Sequence, residues 1–193
     1  MKRIMTLILA LSTTIFAQEV PDNFTNFGVY IGGAQLSATY VDDMPDGLEV
    51  GSVFALPNIG IYKGVMLGSF PVNIGVGFGN RGWSTKFNSI ESTVIQHYLD
   101  VMIGAGYPMG PVNLTGLFLL GSSMGSGKID SDGTEIDYPD EDFGEFTDYG
   151  LMFGLNYPIN DNIGLDVGYY LGLAEVDDAV KYNGIAFSLG YRF

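Results

Sequence analysis

The chain has 193 residues, no cysteine, one histidine, 28 glycines and a formal charge of −14, and charged side chains make up only 16% of it. That length suits one domain or two small ones. Eight Lys and Arg against 22 Asp and Glu leave no basic patch for phosphates, which excludes nucleic acid as a partner, and the absence of cysteine excludes a disulfide framework, thiol catalysis and thiolate metal sites.

Met1-Lys2-Arg3 gives a short positive start, Ile4 to Ile15 a mostly apolar stretch, and Ile15-Phe16-Ala17 a cleavage site before Gln18. This is the layout of a secretory signal peptide, and the apolar stretch is short for a membrane-spanning helix. Residues 1–17 are therefore expected to be a signal peptide and residues 18–193 the exported domain. Loss of Lys2 and Arg3 takes the formal charge from −14 to −16.

Beyond the signal the recurring pattern is alternation with a period of two, the mark of a strand. Eight strands are predicted, at about 27–38, 50–63, 71–83, 93–107, 112–124, 146–157, 163–174 and 181–193. Each meets the roughly 9–11 residues that a tilted strand needs to cross a bilayer. In the second, Pro57 cannot donate to a ladder, so a bulge is expected there. In the fifth, Leu117 and Leu119 blur the alternation. The last strand is the clearest: Ile185, Phe187, Leu189, Tyr191 and Phe193 share one face, opposite Gly184, Ala186, Ser188, Gly190 and Arg192.

Pooling the five best-phased strands decides which face looks outward. One face holds 25 residues, all apolar or aromatic; the other holds 24, of which 12 are glycine and only Asp100, Asp166 and Arg192 are charged. A water-soluble sheet would need many Lys, Glu and Thr on its second face. With the bulky face in lipid and the small residues in a narrow interior, the pattern is consistent. Hydrocarbon offers the backbone no water to bond, so the strands must close on themselves. The expected fold is all-β: a closed eight-stranded antiparallel up-and-down transmembrane β-barrel, a monomer.

The connections alternate in length. Those at 64–70, 108–111 and 158–162 are short and rich in turn residues, and Tyr107-Pro108 and Tyr157-Pro158 open two of them in the same way. The others, at about 39–49, 84–92, 125–145 and 175–180, carry 16 of the 22 acidic residues. Short periplasmic turns and longer external loops are the asymmetry of outer-membrane barrels. Phe70, Tyr107, Tyr157, Tyr191 and Phe193 are placed in a girdle at the turn side, and Trp83 in the outer girdle.

Tyr98-Leu99-Asp100-Val101, Tyr169-Tyr170-Leu171-Gly172-Leu173 and the terminal Phe187-Ser188-Leu189-Gly190-Tyr191-Arg192-Phe193 resemble strands of the porin-like outer membrane β-barrel domain family of Gram-negative bacteria. The resemblance implies residence in the cell outer membrane, surrounded by membrane lipid and lipopolysaccharide, and contact of the C-terminal strand with the barrel insertion machinery. It implies no single activity.

No catalytic, cofactor or metal residue is assigned. His97 is the only histidine available to a Ser–His pair; it is followed by Tyr98 and Leu99, so the His-x-Ser spacing of lipid A deacylase barrels is absent. It shares the outward phase of Leu99 and is expected at the rim, while a lipid-modifying hydrolase pairing it with Ser84 or Ser92 is the alternative. Asp130-Ser131-Asp132-Gly133 places glycine too early for an EF-hand, and 125–145 is expected to be a solvated acidic loop. Arg81, Asp100, Asp148, Asp166 and Arg192 share the inward phase with Tyr98 and Tyr170. Isolated buried ions are costly, so an Arg–carboxylate–tyrosine network with Arg81 and Arg192 as its cations is expected to fill the lumen. The same residues lining a narrow channel for small solutes or ions is the competing reading. The expected role is structural or surface-interacting, without cofactor.

Overall fold

The structure is a computed structural model that describes residues 24–41, 46–68, 70–131, 134–138, 147–176 and 180–193. The expected signal peptide, 1–17, lies outside the described residues, as do Asp42, Asp43, Asp132, Asp140, Glu141, Asp142, Glu145, Asp177 and Asp178 of the acidic connections.

Among the described residues there are nine strands: β1 Phe27–Tyr40, β2 Leu48–Leu67, β3 Phe70–Phe87, β4 Ile90–Met109, β5 Val112–Ser131, β6 Thr134–Tyr138, β7 Thr147–Pro158, β8 Ile163–Gly172 and β9 Val180–Arg192. All described pairings between them are antiparallel. Eight strands form a ring in which each pairs with its neighbour in sequence, apart from β5, which pairs with β7, and the circle closes between β1 and β9. The remaining strand, β6, returns alongside the loop end of β5. Closure gives every ring strand two partners, which is what a spanning sheet requires where no water can satisfy the backbone.

The bulky stripe faces outward. Leu99, Val101, Phe153, Leu155, Ile185 and Phe193 are each about half exposed, between 49% and 62%, a pattern that only a lipid surround makes favourable. On the opposite face Arg81, Tyr98, Asp100, Asp148 and Tyr170 are buried. At the turn end, Tyr157, Tyr191 and Phe193 are exposed where a girdle was expected, and the Tyr191 and Phe193 rings meet edge to face.

Two connections expected as loops are mostly strand. β3 and β4 run on to a two-residue hairpin at Asn88 and Ser89, with Asn88 at φ 57, a left-handed conformation that asparagine tolerates. Likewise β5 continues to Ser131 and pairs with β6, across much of the expected 125–145 loop. There the strand bulges opposite His97, and Gly125 takes φ 72. Polar composition suggested loops because it marks water. Strands that stand clear of the membrane are held by their ladder bonds and need no apolar face. Strands β2 to β5 have 18 to 20 residues, whereas β7 and β8 have 12 and 10, so one side of the barrel wall is taller at its loop end.

The bulge expected at Pro57 is present. The β2–β3 register breaks between Ser52 and Ile59, and the β1–β2 register between Gly32 and Ala34. Such a break inside a membrane wall strands backbone groups, and side chains replace the lost ladder bonds. The Asn80 amide N–H donates to Asn58 Oδ1 at 2.9 Å, and Asn80 Nδ2 donates to the Leu56 carbonyl at 2.7 Å. His97 Nδ1 lies 2.7 Å from Asn80 Oδ1; since that oxygen can only accept, Nδ1 carries the proton. Replacing Asn80 by leucine should leave the Leu56 carbonyl unanswered and lower stability by about 1–3 kcal/mol, the cost of an orphaned buried polar group. The urea midpoint for loss of the heat-modifiable folded band measures this, and an unchanged midpoint would refute the bridging role.

Candidate functional site

The inward face carries the barrel's chemistry because strand alternation delivers every second residue to a lumen eight strands wide, where side chains from opposite walls meet. Arg81 enters from β3, Asp100 and Tyr98 from β4, Asp148 from β7, Tyr170 from β8 and Tyr182 from β9. Arg81 Nη2 lies 2.8 Å from Asp100 Oδ1 and its Nε 2.6 Å from Asp148 Oδ2, and all three residues are at most 5% exposed. The Tyr170 hydroxyl donates to the same Asp148 oxygen at 2.8 Å. The guanidinium carbon sits 4.2 Å from the Tyr98 ring centroid. Tyr98 and Tyr182 both donate to Gln96 Oε1, at 3.0 and 2.7 Å. One cation thus binds two walls together across the bore, with a tyrosine layer around it.

Glycine makes room for this layer. A Cβ at Gly79 or Gly121 would run into Asp100 and Arg81, one at Gly150 into the Tyr170 ring, and one at Gly60 or Gly77 into Tyr30. The inward glycines are therefore recesses that receive large polar side chains from neighbouring strands.

Toward the loop end an apolar cap covers the ionic layer. Val176 and Val180 bond to each other through their backbones, at 2.8 and 3.1 Å, and both are buried with Leu36, Ala38 and Tyr182. The connection after β8 folds into the mouth here. Trp83, expected in the outer girdle, packs against this cluster instead, its ring 5.7 Å from Tyr182. It lies two residues beyond Arg81 and so shares its inward phase; rim preference pointed outward, and strand geometry overrode it.

Toward the turn end the lumen opens into a cavity of about 370 Å³, lined among others by Tyr30, Tyr62, Asn73, Asn156, Asp166 and Arg192. Phe24, just before β1, lies in this mouth with its ring under the Arg192 guanidinium at 5.2 Å. Arg192 does not join a carboxylate network as expected. Its Nη2 donates to Asn73 Oδ1 at 3.2 Å, and the carboxylate of Asp166 is held by Asn156 Nδ2 at 3.0 Å. Arg192 sits near the end of β9, several rungs from the Arg81 layer, so the one network expected from phase is divided into two levels.

The structure does not bring His97 to a serine. It faces outward beside Phe78, with its Nδ1 engaged by Asn80, while Ser92 donates to Ser131 Oγ at 3.1 Å and Ser84 is buried over Gly51. Lumen residues absent from the sequence expectation include Gln96, Tyr182, Tyr30 and Tyr62. Extending the alternation by two residues from Tyr98 and from Gly184 reaches the first pair. The β1 and β2 residues belong to strands whose phase the Pro57 bulge obscures.

Arg81→Met should destabilise the barrel by about 3–5 kcal/mol, because two buried carboxylates lose their cation. Adding Asp100→Asn and Asp148→Asn should recover most of that loss, as read from denaturant midpoints in detergent micelles. A triple variant no better than Arg81→Met would contradict the ionic account.

The family description "Outer membrane protein beta-barrel domain" matches residues 7–193. No curated protein matches the chain significantly. Among solved structures, Neisserial surface protein A is 16% identical with a TM-score of 0.57, the match covering 91% of this chain and 100% of that one. Ail, the attachment invasion locus protein of Yersinia pestis, is 20% identical with a TM-score of 0.49 over 88% of this chain and 99% of its own. With a family match across nearly the whole sequence and a ring of eight antiparallel strands whose bulky face is turned outward, the chain belongs to the outer membrane protein beta-barrel domain family.

Proposed function

We propose that this outer-membrane protein is a monomeric, non-conducting barrel whose role is structural and surface-interacting, exposing an acidic external face to basic or cation-bridged partners. The observation that supports this most directly is the Arg81–Asp100–Asp148 bridge across the bore, with the Val176 and Tyr182 cap above it. A lumen filled at that level leaves chemistry to the outside surface. The loop-end strand extensions and the connections between them carry 16 of the 22 acidic residues, a field that attracts cations and repels anionic partners. The outward stripe fits membrane lipid and lipopolysaccharide as surroundings, and β9, with Ile185, Phe187, Leu189 and Tyr191 on its outward face, suits contact with the insertion machinery.

Recordings from the purified barrel in planar bilayers should show no stable conductance steps, while Arg81→Ala should introduce them. Stable steps from the unaltered protein would replace this proposal by the narrow-channel reading. Cells bearing the protein should adhere to a polylysine surface, and adhesion should fall steeply between roughly 0.1 and 1 M salt as the screening length shrinks from about 10 to 3 Å. Neutralising Asp140, Glu141 and Asp142 should weaken it several-fold; adhesion indifferent to both changes would dismiss the electrostatic role.

A further inference from the structure

The lumen treats its two levels differently. At the Arg81 level opposite charges are joined directly. In the cavity below, Arg192 and Asp166 line the same space yet make no ion pair within 4.0 Å of each other. Neither is answered by an opposite charge: Arg192 has the Asn73 amide and the Phe24 and Tyr62 rings, at 5.2 and 5.3 Å, and the Asp166 carboxylate has the Asn156 amide. Arg192 Nε is buried and has no hydrogen-bond partner among the described residues. Unlike charges in a low-dielectric space gain by meeting, and an unanswered donor there is costly. Two such groups held apart in one cavity fit a ligand that carries both complementary charges.

We propose that this cavity is a binding site, entered from the periplasmic side, for a small zwitterion of dipeptide size. The ligand carboxylate would accept from the cavity-facing edge of the Arg192 guanidinium, and its ammonium would donate to Asp166. The volume, about 370 Å³, falls at the lower end of small-molecule sites, roughly 300–1,000 Å³. Asn113 donates to Asn156 Oδ1 at 3.0 Å, so Asn73 Nδ2 and Asn113 Oδ1 are the amide groups left for a peptide group, and Met102 and Met152 line the same space with adaptable apolar surface. The route follows from the seals: the Arg81 bridge and the Val176 cap close the external side, whereas among the described residues the turn-end mouth holds the Phe24 and Tyr62 rings beside Arg192. A Cβ at Gly64 would overlap the Phe24 backbone, so that glycine is what lets the segment before β1 lie across the opening.

Calorimetric titration of the mature barrel in detergent micelles with L-alanyl-L-phenylalanine tests the site, alongside the N-acetylated and the C-amidated dipeptide. Saturable one-to-one binding of the zwitterion is expected, with each blocked form weaker by about tenfold or more, the scale of a lost charge-assisted hydrogen bond. Asp166→Asn should abolish discrimination against the N-acetyl form, and Arg192→Gln discrimination against the amide. If the change at Arg192 prevents folding, judged by heat-modifiable migration, the three ligands on the unaltered protein and on Asp166→Asn still decide. Equal binding of all three forms, or no saturable heat from the zwitterion, would overturn the assignment.

Discussion

In hydrocarbon there is no solvent to receive a peptide N–H or carbonyl, so every backbone polar group of a spanning sheet needs a partner within the protein. This constraint governs the rest of the molecule. It requires the ring to close between β1 and β9, so that no strand in the membrane has a free edge. It also explains why the break in β2 is accompanied by two asparagines. Where Pro57 interrupts the ladder, Asn58 and Asn80 supply the missing donor and acceptor, and His97 fixes the Asn80 amide. A lone histidine that invites a catalytic reading is thereby part of the wall.

Closure around eight strands produces a narrow bore, and the same scarcity of water applies within it. A cation introduced there needs its counter-charge from a facing wall, and Arg81 obtains two, from β4 and β7. Space for these long side chains comes from the glycines opposite them, which is why one face of nearly every strand is so poor in bulk. Large outward residues and small inward ones are two consequences of a single geometry: lipid outside imposes no limit on side-chain size, while the bore does.

The barrel is unequal from end to end. At the loop end, tall strands β2 to β5 rise past the shorter β7 and β8, and the connection after β8 turns in to seal the mouth. At the turn end the bore retains a cavity with a separated cation and carboxylate beside two aromatic rings, Phe24 and Tyr62. External surface and internal cavity are thus insulated from one another by the ionic layer, so surface interaction outside and ligand binding within would be independent properties of the same fold.

Strand alternation is a local property of extended chain, and by itself it determined the all-β class, the eight spanning strands, the outward stripe and the inward placement of Arg81, Asp100, Asp148 and Tyr170. The same alternation carries Trp83, Gln96 and Tyr182 to the lumen once it is followed past the membrane boundary, where composition no longer marks it. Pairing across the bore is a different matter. Whether Arg192 meets Asp166 or Asn73 depends on strand tilt and register around the whole ring, which residue spacing along one strand does not encode. The same holds for Asn80 reaching the Leu56 carbonyl, and for Val176 folding into the mouth. Those contacts join residues brought together only when the sheet closes, and so the tertiary structure alone decided where the lumen is bridged and where it stays open.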